Sequence, residues 1–101
     1  MKSHKVVFRP AAEADLLALY LYIAETSGPA RAGNYIERIE TACMALANFP
    51  ERGTRRDDIL PGLRTIGFEH RASIAFRVTG EQVEIMAIAY AGRAFETNLE
   101  Q

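Results

Sequence analysis

Four arginines in the second half of the chain are the residues best suited to do chemistry: Arg64, Arg71, Arg77 and Arg93. The guanidinium group is a planar, permanently charged fork that can hold a phosphate or a carboxylate at two points. Arg71 and Arg77 fall on the same side of a segment in which apolar and polar residues alternate. This spacing predicts a basic sheet face that Arg64 joins from a neighbouring strand. The alternative is a polar face that serves solubility only.

Other catalytic groupings have little support in the sequence. The single cysteine, Cys43, lies on the expected core face of a helix, where a buried and inert thiol is expected. His4 and His70 are far apart, and no carboxylates cluster near them in a metal-ligand spacing. The glycines lack the spacing of a phosphate-binding loop. We therefore expect no catalytic residue, no metal site and no cofactor.

Length and composition predict a single globular domain, residues 1–101, with a core large enough to be stable without disulfides or bound metal. The formal net charge is −1, whereas proteins that grip nucleic acid through its phosphates carry a basic excess. A lone cysteine allows no internal disulfide and suits a reducing compartment. No secretory signal or membrane-spanning run is visible, so a cytoplasmic location is expected.

The N-terminal half of the sequence predicts a strand and two helices. Residues 5–9 are rich in β-branched and aromatic residues, and Pro10 ends this strand and fits a first helical turn. Residues 16–24, LLALYLYIA, continue the first helix, which the sequence SGP at 27–29 closes. The second helix has apolar residues at helical spacing and should stop near Asn48, before a proline. Two helices joined so closely should form an antiparallel hairpin.

In the C-terminal half the apolar period changes from 3.6 to 2, which predicts three strands. They cover residues 63–68, 71–78 and 83–90, with a tight turn at residues 79–80. The last strand is apolar on both faces apart from Glu84, so it is expected in the middle of the sheet. The order β-α-α-β-β-β predicts an α+β fold in which an N-terminal helical hairpin packs on a mainly antiparallel sheet.

A charged connector, residues 49–64 (FPERGTRRDDILPGLR), links the second helix to the sheet. Its prolines and glycines are expected to fix the path of the chain and to prevent a helix or a strand. Asp57 and Asp58 have two interpretations. They pair with nearby arginines and order the loop, or they present charge to a partner.

The first helix is apolar over a wider arc than one core contact requires. Its two adjacent apolar faces contain Leu16, Leu19, Tyr20 and Ile23, and Leu17, Leu21 and Ala24. Such a helix is either sandwiched inside the protein or covered by something else. Tyr20, Tyr22 and Tyr35 are expected to pack, although an exposed tyrosine would suit a protein contact.

Seven short motifs follow one another between residues 6 and 96: ADL at 14–16, YIA at 22–24, GPARA at 28–32, FPERG at 49–53, RDD at 56–58, PGLR at 61–64 and GR at 92–93. The ordered set resembles the ParE toxins of the ParE/RelE superfamily of type II toxin–antitoxin systems, also called plasmid-stabilisation proteins. The resemblance implies the same β-α-α-β-β-β fold that the periodicity predicts. It also implies a non-enzymatic toxin that inhibits DNA gyrase by protein–protein contact.

The resemblance further implies a ParD-like antitoxin, which has a ribbon-helix-helix DNA-binding head and a C-terminal segment that folds along the toxin. DNA would then be met only through the antitoxin, and no membrane contact is implied. We expect the antitoxin at Leu17, Tyr20, Leu21, Ala24, Glu51, Arg52, Asp57 and Asp58. The target would meet the basic face made by Arg64, Arg71, Arg77 and Arg93.

Two alternatives stay open. A RelE-like toxin of the same superfamily would cut mRNA on the ribosome, with Arg71 and Arg77 at the phosphate and Tyr90 as the titratable group. Such enzymes are strongly basic, whereas the lysines of this chain are only Lys2 and Lys5. A protein of the same fold that is not toxic would act as a binding module.

Overall fold

The computed structural model describes residues 4–90 of the chain. Within this range two helices and five strands follow one another. Their bounds are β1 Lys5–Phe8, α1 Pro10–Ser27, α2 Pro29–Ala45, β2 Thr54–Arg55, β3 Leu63–Phe68, β4 Ala72–Thr79 and β5 Gln82–Tyr90. The predicted order β-α-α-β-β-β is confirmed, and one short strand, β2, is added inside the connector.

All five strands belong to one sheet, in the order β1-β5-β4-β3-β2. β1 runs parallel to β5, from Lys5 opposite Gln82 to Phe8 opposite Ile85, and the other pairs are antiparallel. The sheet is therefore mainly antiparallel, and the interior place predicted for the last strand is correct. β2 forms the far edge, in a segment for which the sequence predicts no strand. The prediction failed because β2 has only two residues, which is too short for an alternating pattern to appear in the sequence.

A single residue, Gly28, separates the two helices. Pro10 and Pro29 each occupy a first helical turn, where the missing N–H has no intrahelical partner to lose. Gly28 has φ 94°, a conformation that residues with a Cβ rarely adopt. α2 ends at Ala45, slightly before the expected Asn48, and the chain continues in a tight turn. No helix in the described part of the chain is long and apolar enough to cross a bilayer.

The main core fills the space between the helical hairpin and the facing side of the sheet. Its largest fully buried side chains are Ile39, Cys43, Leu46, Ile74, Phe76, Val83, Ile85 and Ile88. Burial, and to a smaller extent Glu40, raises the pKa of the Cys43 thiol to about 12. The thiol is therefore protonated and unreactive at neutral pH, as its place on the core face of α2 predicts.

A second apolar cluster covers the opposite side of the sheet, called here the back side. Its buried members are Leu63, Ala75, Ala87 and Ala89, and Ile59, Leu60 and Met86 pack against them. A β-bulge in β5 makes this arrangement possible: Ala75 pairs with Ala87 but Phe76 pairs with Ile85, so Met86 is an extra residue. The bulge shifts the side-chain alternation by one residue. The back side is thus neither a basic face nor a fully solvated one, because the connector covers part of it.

A carboxylate on α1 joins the helical hairpin to β5. Asp15 Oδ2 accepts a hydrogen bond from the backbone N of Ile88 at 2.9 Å. β1 pairs with β5 only as far as Ile85, so within residues 4–90 no strand lies beside the edge of β5 beyond that point. Asp15 supplies the missing acceptor there. The residue thus has a tertiary role in addition to its favourable position early in a helix.

We expect Asp15→Ala to lower the free energy of unfolding by about 1–3 kcal/mol, because a half-buried amide loses its acceptor. Asp15→Asn, which keeps an acceptor oxygen, should lose less. Glu25→Ala, at an exposed position of the same helix, is the control and should stay within about 0.5 kcal/mol of wild type. Urea titrations followed by circular dichroism measure all three. An Asp15→Ala variant as stable as the Glu25→Ala control would contradict the structural role of this bond.

Candidate functional site

The outer side of α1 carries an exposed apolar stripe, defined by Leu17, Tyr20, Leu21 and Ala24. Leu17 and Leu21, one helical turn apart, are 61% and 56% exposed. Tyr20 and Ala24 are half-buried and lie against the main core. Neighbouring exposed leucines on one helix face form a surface suited to a partner helix or strand. The α1 stripe therefore brings together the four α1 residues predicted to meet an antitoxin.

The charges of the connector order the connector itself. Asp57 Oδ1 accepts a hydrogen bond from the Gly62 backbone N at 2.8 Å, and Asp57 also pairs with Arg55 at 3.2 Å. Asp58 accepts two hydrogen bonds from Arg56, each 3.0 Å long. The Gly62 amide and Arg55 lower the pKa of Asp57, and Arg56 lowers the pKa of Asp58. The loop-ordering interpretation is confirmed, while a contact between these carboxylates and a partner stays a prediction.

The residues predicted to bind an antitoxin form two separate groups. Glu51 and Arg52 are exposed in the connector, as are Asp57 and Asp58. α1 contacts β5, whereas the connector forms the β2 edge, three strand positions further along the sheet. With roughly 4.8 Å between strands, a partner that touches both groups must cross much of the molecule.

The arginines predicted to share one basic face lie in different places. Arg77 is on the back side of the sheet and pairs with Glu84 at 3.1 Å. Arg64 stands opposite a core phenylalanine in the β3–β4 register, so it lies on the helix side, near the β2 edge. Arg71 lies at the turn end of the helical hairpin. Arg93 is outside the described residues. The predicted grouping is therefore wrong for the three described arginines, and their contact with a target stays a prediction.

Local backbone geometry explains why the grouping failed. The turn between β3 and β4 places Glu69 and His70 in the left-handed region, with φ 49° and 64°. β4 begins only at Ala72, so Arg71 belongs to the turn. The side chain of Arg71 therefore does not follow the alternation of side chains between the two sides of the sheet. In β3 the buried Leu63 takes the back side, which turns Arg64 to the other side.

Arg71 belongs to a cleft of about 390 Å³ where the end of α1, the start of α2, the start of β4 and the end of β5 meet. We call it the hairpin-end cleft. Three tyrosines and three arginines contribute to its walls: Tyr22, Tyr35, Tyr90, Arg31, Arg38 and Arg71. The combination offers cations, hydroxyl groups and aromatic rings within one open site.

The three arginines of the cleft differ in their partners. Arg38 is held by Glu69 through two hydrogen bonds of 2.8 and 3.0 Å, and it stacks 5.4 Å from the centre of the Tyr35 ring. Arg38 lowers the pKa of Glu69 through these bonds. Within residues 4–90, no acidic side chain forms an ion pair with Arg31 or Arg71.

Tyr35 has a hydroxyl group that is buried without a hydrogen-bond partner among the described residues. Its ring lies edge to face with those of Phe68 and Tyr90, at centroid distances of 5.5 and 6.0 Å. Burial raises the pKa of Tyr35, and Tyr90 and Glu69 add to this effect. The Tyr22 ring also lies edge to face with the Tyr90 ring, and their centroids are 5.9 Å apart.

Of the residues that line this cleft, the sequence singles out only Arg71 and Tyr90. It predicts packing for Tyr22 and Tyr35, and it assigns no site role to Arg31 or Arg38. A usable signal is present, however: a polar stripe on α2 at i, i+3, i+4 and i+7, made by Arg31, Asn34, Tyr35 and Arg38. The meeting of this stripe with β4 and β5 depends on tertiary structure that no local pattern encodes.

Comparison with known proteins places the chain among toxins. Residues 6–95 match the family described as ParE toxin of type II toxin-antitoxin system, parDE. Toxin ParE3 of Caulobacter vibrioides is 34% identical over 74 residues, which is 73% of either chain. A structure of the chromosomal ParDE system from P. aeruginosa aligns with a TM-score of 0.78 and 27% identity, over 89% of this chain and 98% of that one.

The toxin-antitoxin complex RelBE2 from Mycobacterium tuberculosis also aligns, with a TM-score of 0.64 over 89% of this chain and 93% of that one. Its sequence identity is 20%, so this likeness concerns the fold alone. The predicted α+β fold, with a helical hairpin on a mainly antiparallel sheet, is confirmed by both structures.

We expect Tyr35→Phe to remove part of the alkaline loss of stability. Because the folded state raises the pKa of Tyr35 above 10.0, it holds the proton more tightly than the unfolded chain does. The contribution of protonated Tyr35 to the free energy of unfolding is complete below pH 10.0, and it is lost as the pH rises through the pKa of the folded state. Unfolding midpoints measured from neutral pH upward should fall less steeply for the variant.

At neutral pH this variant should be at least as stable as wild type, since the hydroxyl forms no hydrogen bond with any of residues 4–90. Tyr22→Phe, which removes a hydroxyl from a more exposed ring of the same cleft, is the control. Parallel pH profiles for wild type and Tyr35→Phe would refute the assignment.

Proposed function

This chain belongs to the ParE toxin family of type II toxin–antitoxin systems, and on that premise we propose that it inhibits DNA gyrase by protein–protein contact. In the resting cell it is neutralised by a ParD-like antitoxin with a ribbon-helix-helix head. It meets DNA only through that antitoxin. The structural observation that supports an antitoxin site is the exposed α1 stripe.

The α1 stripe suits a segment that folds as it binds. Leu17 and Leu21 project from a helix whose opposite side is anchored in the core by Leu16, Leu19 and Ile23. A partner segment that covers the two leucines buries apolar surface worth roughly 25 cal/mol per Å². A segment disordered when free can cover such a helix and still be removed by proteases when unbound.

The chemistry of the hairpin-end cleft favours contact over catalysis. A general base works best with a pKa near the working pH, whereas burial moves the pKa of Tyr35 further above neutrality. Arg38 is occupied by Glu69, and Arg77 by Glu84. In the described part of the chain, no three His, Cys, Asp or Glu side chains group as ligands for a metal ion.

One observation favours the RelE-like alternative, namely the fold that this chain shares with the RelBE2 structure. Two proteins with the same fold can have different activities, so the shared fold alone does not establish a ribonuclease. A ribonuclease of this kind would use Arg71 with Tyr90, which share the hairpin-end cleft. A non-toxic binding module of the same fold is the remaining alternative.

The target is tested by adding the purified chain to two assays in parallel. We expect it to inhibit supercoiling by DNA gyrase and to leave ribosome-bound mRNA intact, because the proposed action needs protein contact only. Addition of purified cognate antitoxin should restore supercoiling. Cleaved mRNA with normal supercoiling would make the ribonuclease alternative correct. A chain that is folded and inactive in both assays would point to the binding module.

The antitoxin site is tested by the double variant Leu17→Glu and Leu21→Glu. Two charges in the centre of an apolar contact should weaken antitoxin binding at least about thirtyfold, the equivalent of roughly 2 kcal/mol. The fold should be kept, because both side chains are already exposed. Calorimetric titration with the antitoxin measures the affinity.

Met44→Glu is the matched control, since Met44 is 53% exposed on the other helix. It should leave the affinity within about twofold of wild type, as expected for a surface change outside a contact. Equal losses from the control and the double variant, or no loss from the double variant, would remove α1 as the antitoxin site.

A further inference from the structure

The hairpin-end cleft carries positive charge that the described part of the chain does not balance. Three arginines line the cleft, and one carboxylate, that of Glu69, pairs with Arg38. Among the described residues this leaves the positive charges of Arg31 and Arg71 without an ion pair. Arg31 comes from the first turns of α2 and Arg71 from the turn before β4, so both are held by structured backbone. A guanidinium group keeps its charge at every physiological pH, so the cleft attracts an anion permanently.

A second observation at the same place points to a ligand. The Tyr35 hydroxyl is buried and makes no hydrogen bond among residues 4–90, which is unfavourable for the free protein. Tyr35 lines the cleft together with Arg31 and Arg71. An anionic group in the cleft could accept a hydrogen bond from the Tyr35 hydroxyl, and the two arginines would balance the negative charge of that group.

The surroundings favour a carboxylate on a polypeptide over a phosphate of nucleic acid. A nucleic acid strand needs a row of cations along its backbone, whereas this chain has a net charge of −1 and Glu69 already pairs with Arg38 of the cleft. Tyr22 is 55% exposed and lines the cleft, and it lies about 100° around α1 from Leu21 of the α1 stripe. A segment that covers the stripe therefore reaches the cleft by crossing the outer surface of α1 near its C-terminal end.

We propose that the hairpin-end cleft binds an acidic side chain of the antitoxin segment that covers the α1 stripe, with Arg31 and Arg71 holding its carboxylate. This inference rests on the proposed function and adds the position and charge of the anchoring contact. The antitoxin segment is then defined by chemistry: apolar residues over Leu17 and Leu21, followed by an Asp or Glu. The Tyr35 hydroxyl donates to the same carboxylate or to the peptide carbonyl beside it.

The test measures the affinity of the purified cognate antitoxin for Arg31→Gln, Arg71→Gln and the double variant. Both side chains lack ion pairs among the described residues, so the variants should unfold as wild type does. Loss of a partly desolvated charge pair should weaken binding about tenfold for a single variant. Arg9→Gln, which removes an exposed arginine outside the cleft, is the matched control and should bind normally.

Charge exchange identifies the antitoxin residue. Each Asp and Glu of the antitoxin is changed to Arg in turn and tested against Arg71→Glu. Recovery of at least about tenfold by one change alone would support the paired contact, because coupling of this size is measured between charges that touch.

Three results would overturn the inference: normal affinity in the double variant, equal loss in Arg9→Gln, or displacement of the antitoxin by a single-stranded oligonucleotide that needs Arg31 and Arg71. Failure of the proposed function has a different signature. In that case wild type itself would not bind the antitoxin.

Discussion

The hydrogen bond between the Asp15 carboxylate and the Ile88 amide joins the helical hairpin to the sheet at a defined point. Among the described residues, β1 accompanies β5 only to Ile85, and no other strand lies along this edge beyond that residue. Asp15 bonds to this edge from α1, while the buried Leu16, Leu19 and Ile23 hold the helix in the core. Two turns further along, Tyr22 then meets Tyr90 at the end of β5. The hairpin-end cleft and the outward direction of the α1 stripe both follow from this placement.

The β-bulge at Met86 has a complementary effect on the other side of the sheet. It lets β5 present large aliphatic residues to the helices and small alanines to the back side. The connector can therefore lie close to the sheet, with Ile59 and Leu60 packed on that surface. Its paired charges face solvent and hold the loop in shape. The connector is thus a structural cover for the sheet as well as a link.

Much of the fold could be predicted from the sequence because its determinants are local. The 3.6 and 2.0 periods, Pro10, Pro29 and Gly28 indicate the helices, their hairpin and the strands that follow. The apolar arc of α1 correctly indicates a surface wider than the core needs. Residue spacing could not place Arg71, because a turn with two left-handed residues precedes β4. Nor could it find the bond from Asp15 to Ile88, which joins residues 73 positions apart.

We propose that an antitoxin recognises the outer side of α1 and the adjoining cleft. A crystal structure of this chain in complex with its cognate antitoxin would show whether it does. We expect an antitoxin segment over Leu17 and Leu21, with a carboxylate between Arg31 and Arg71. A complex in which the outer side of α1 stays exposed to solvent, with the antitoxin bound only at the connector or the back side, would contradict it.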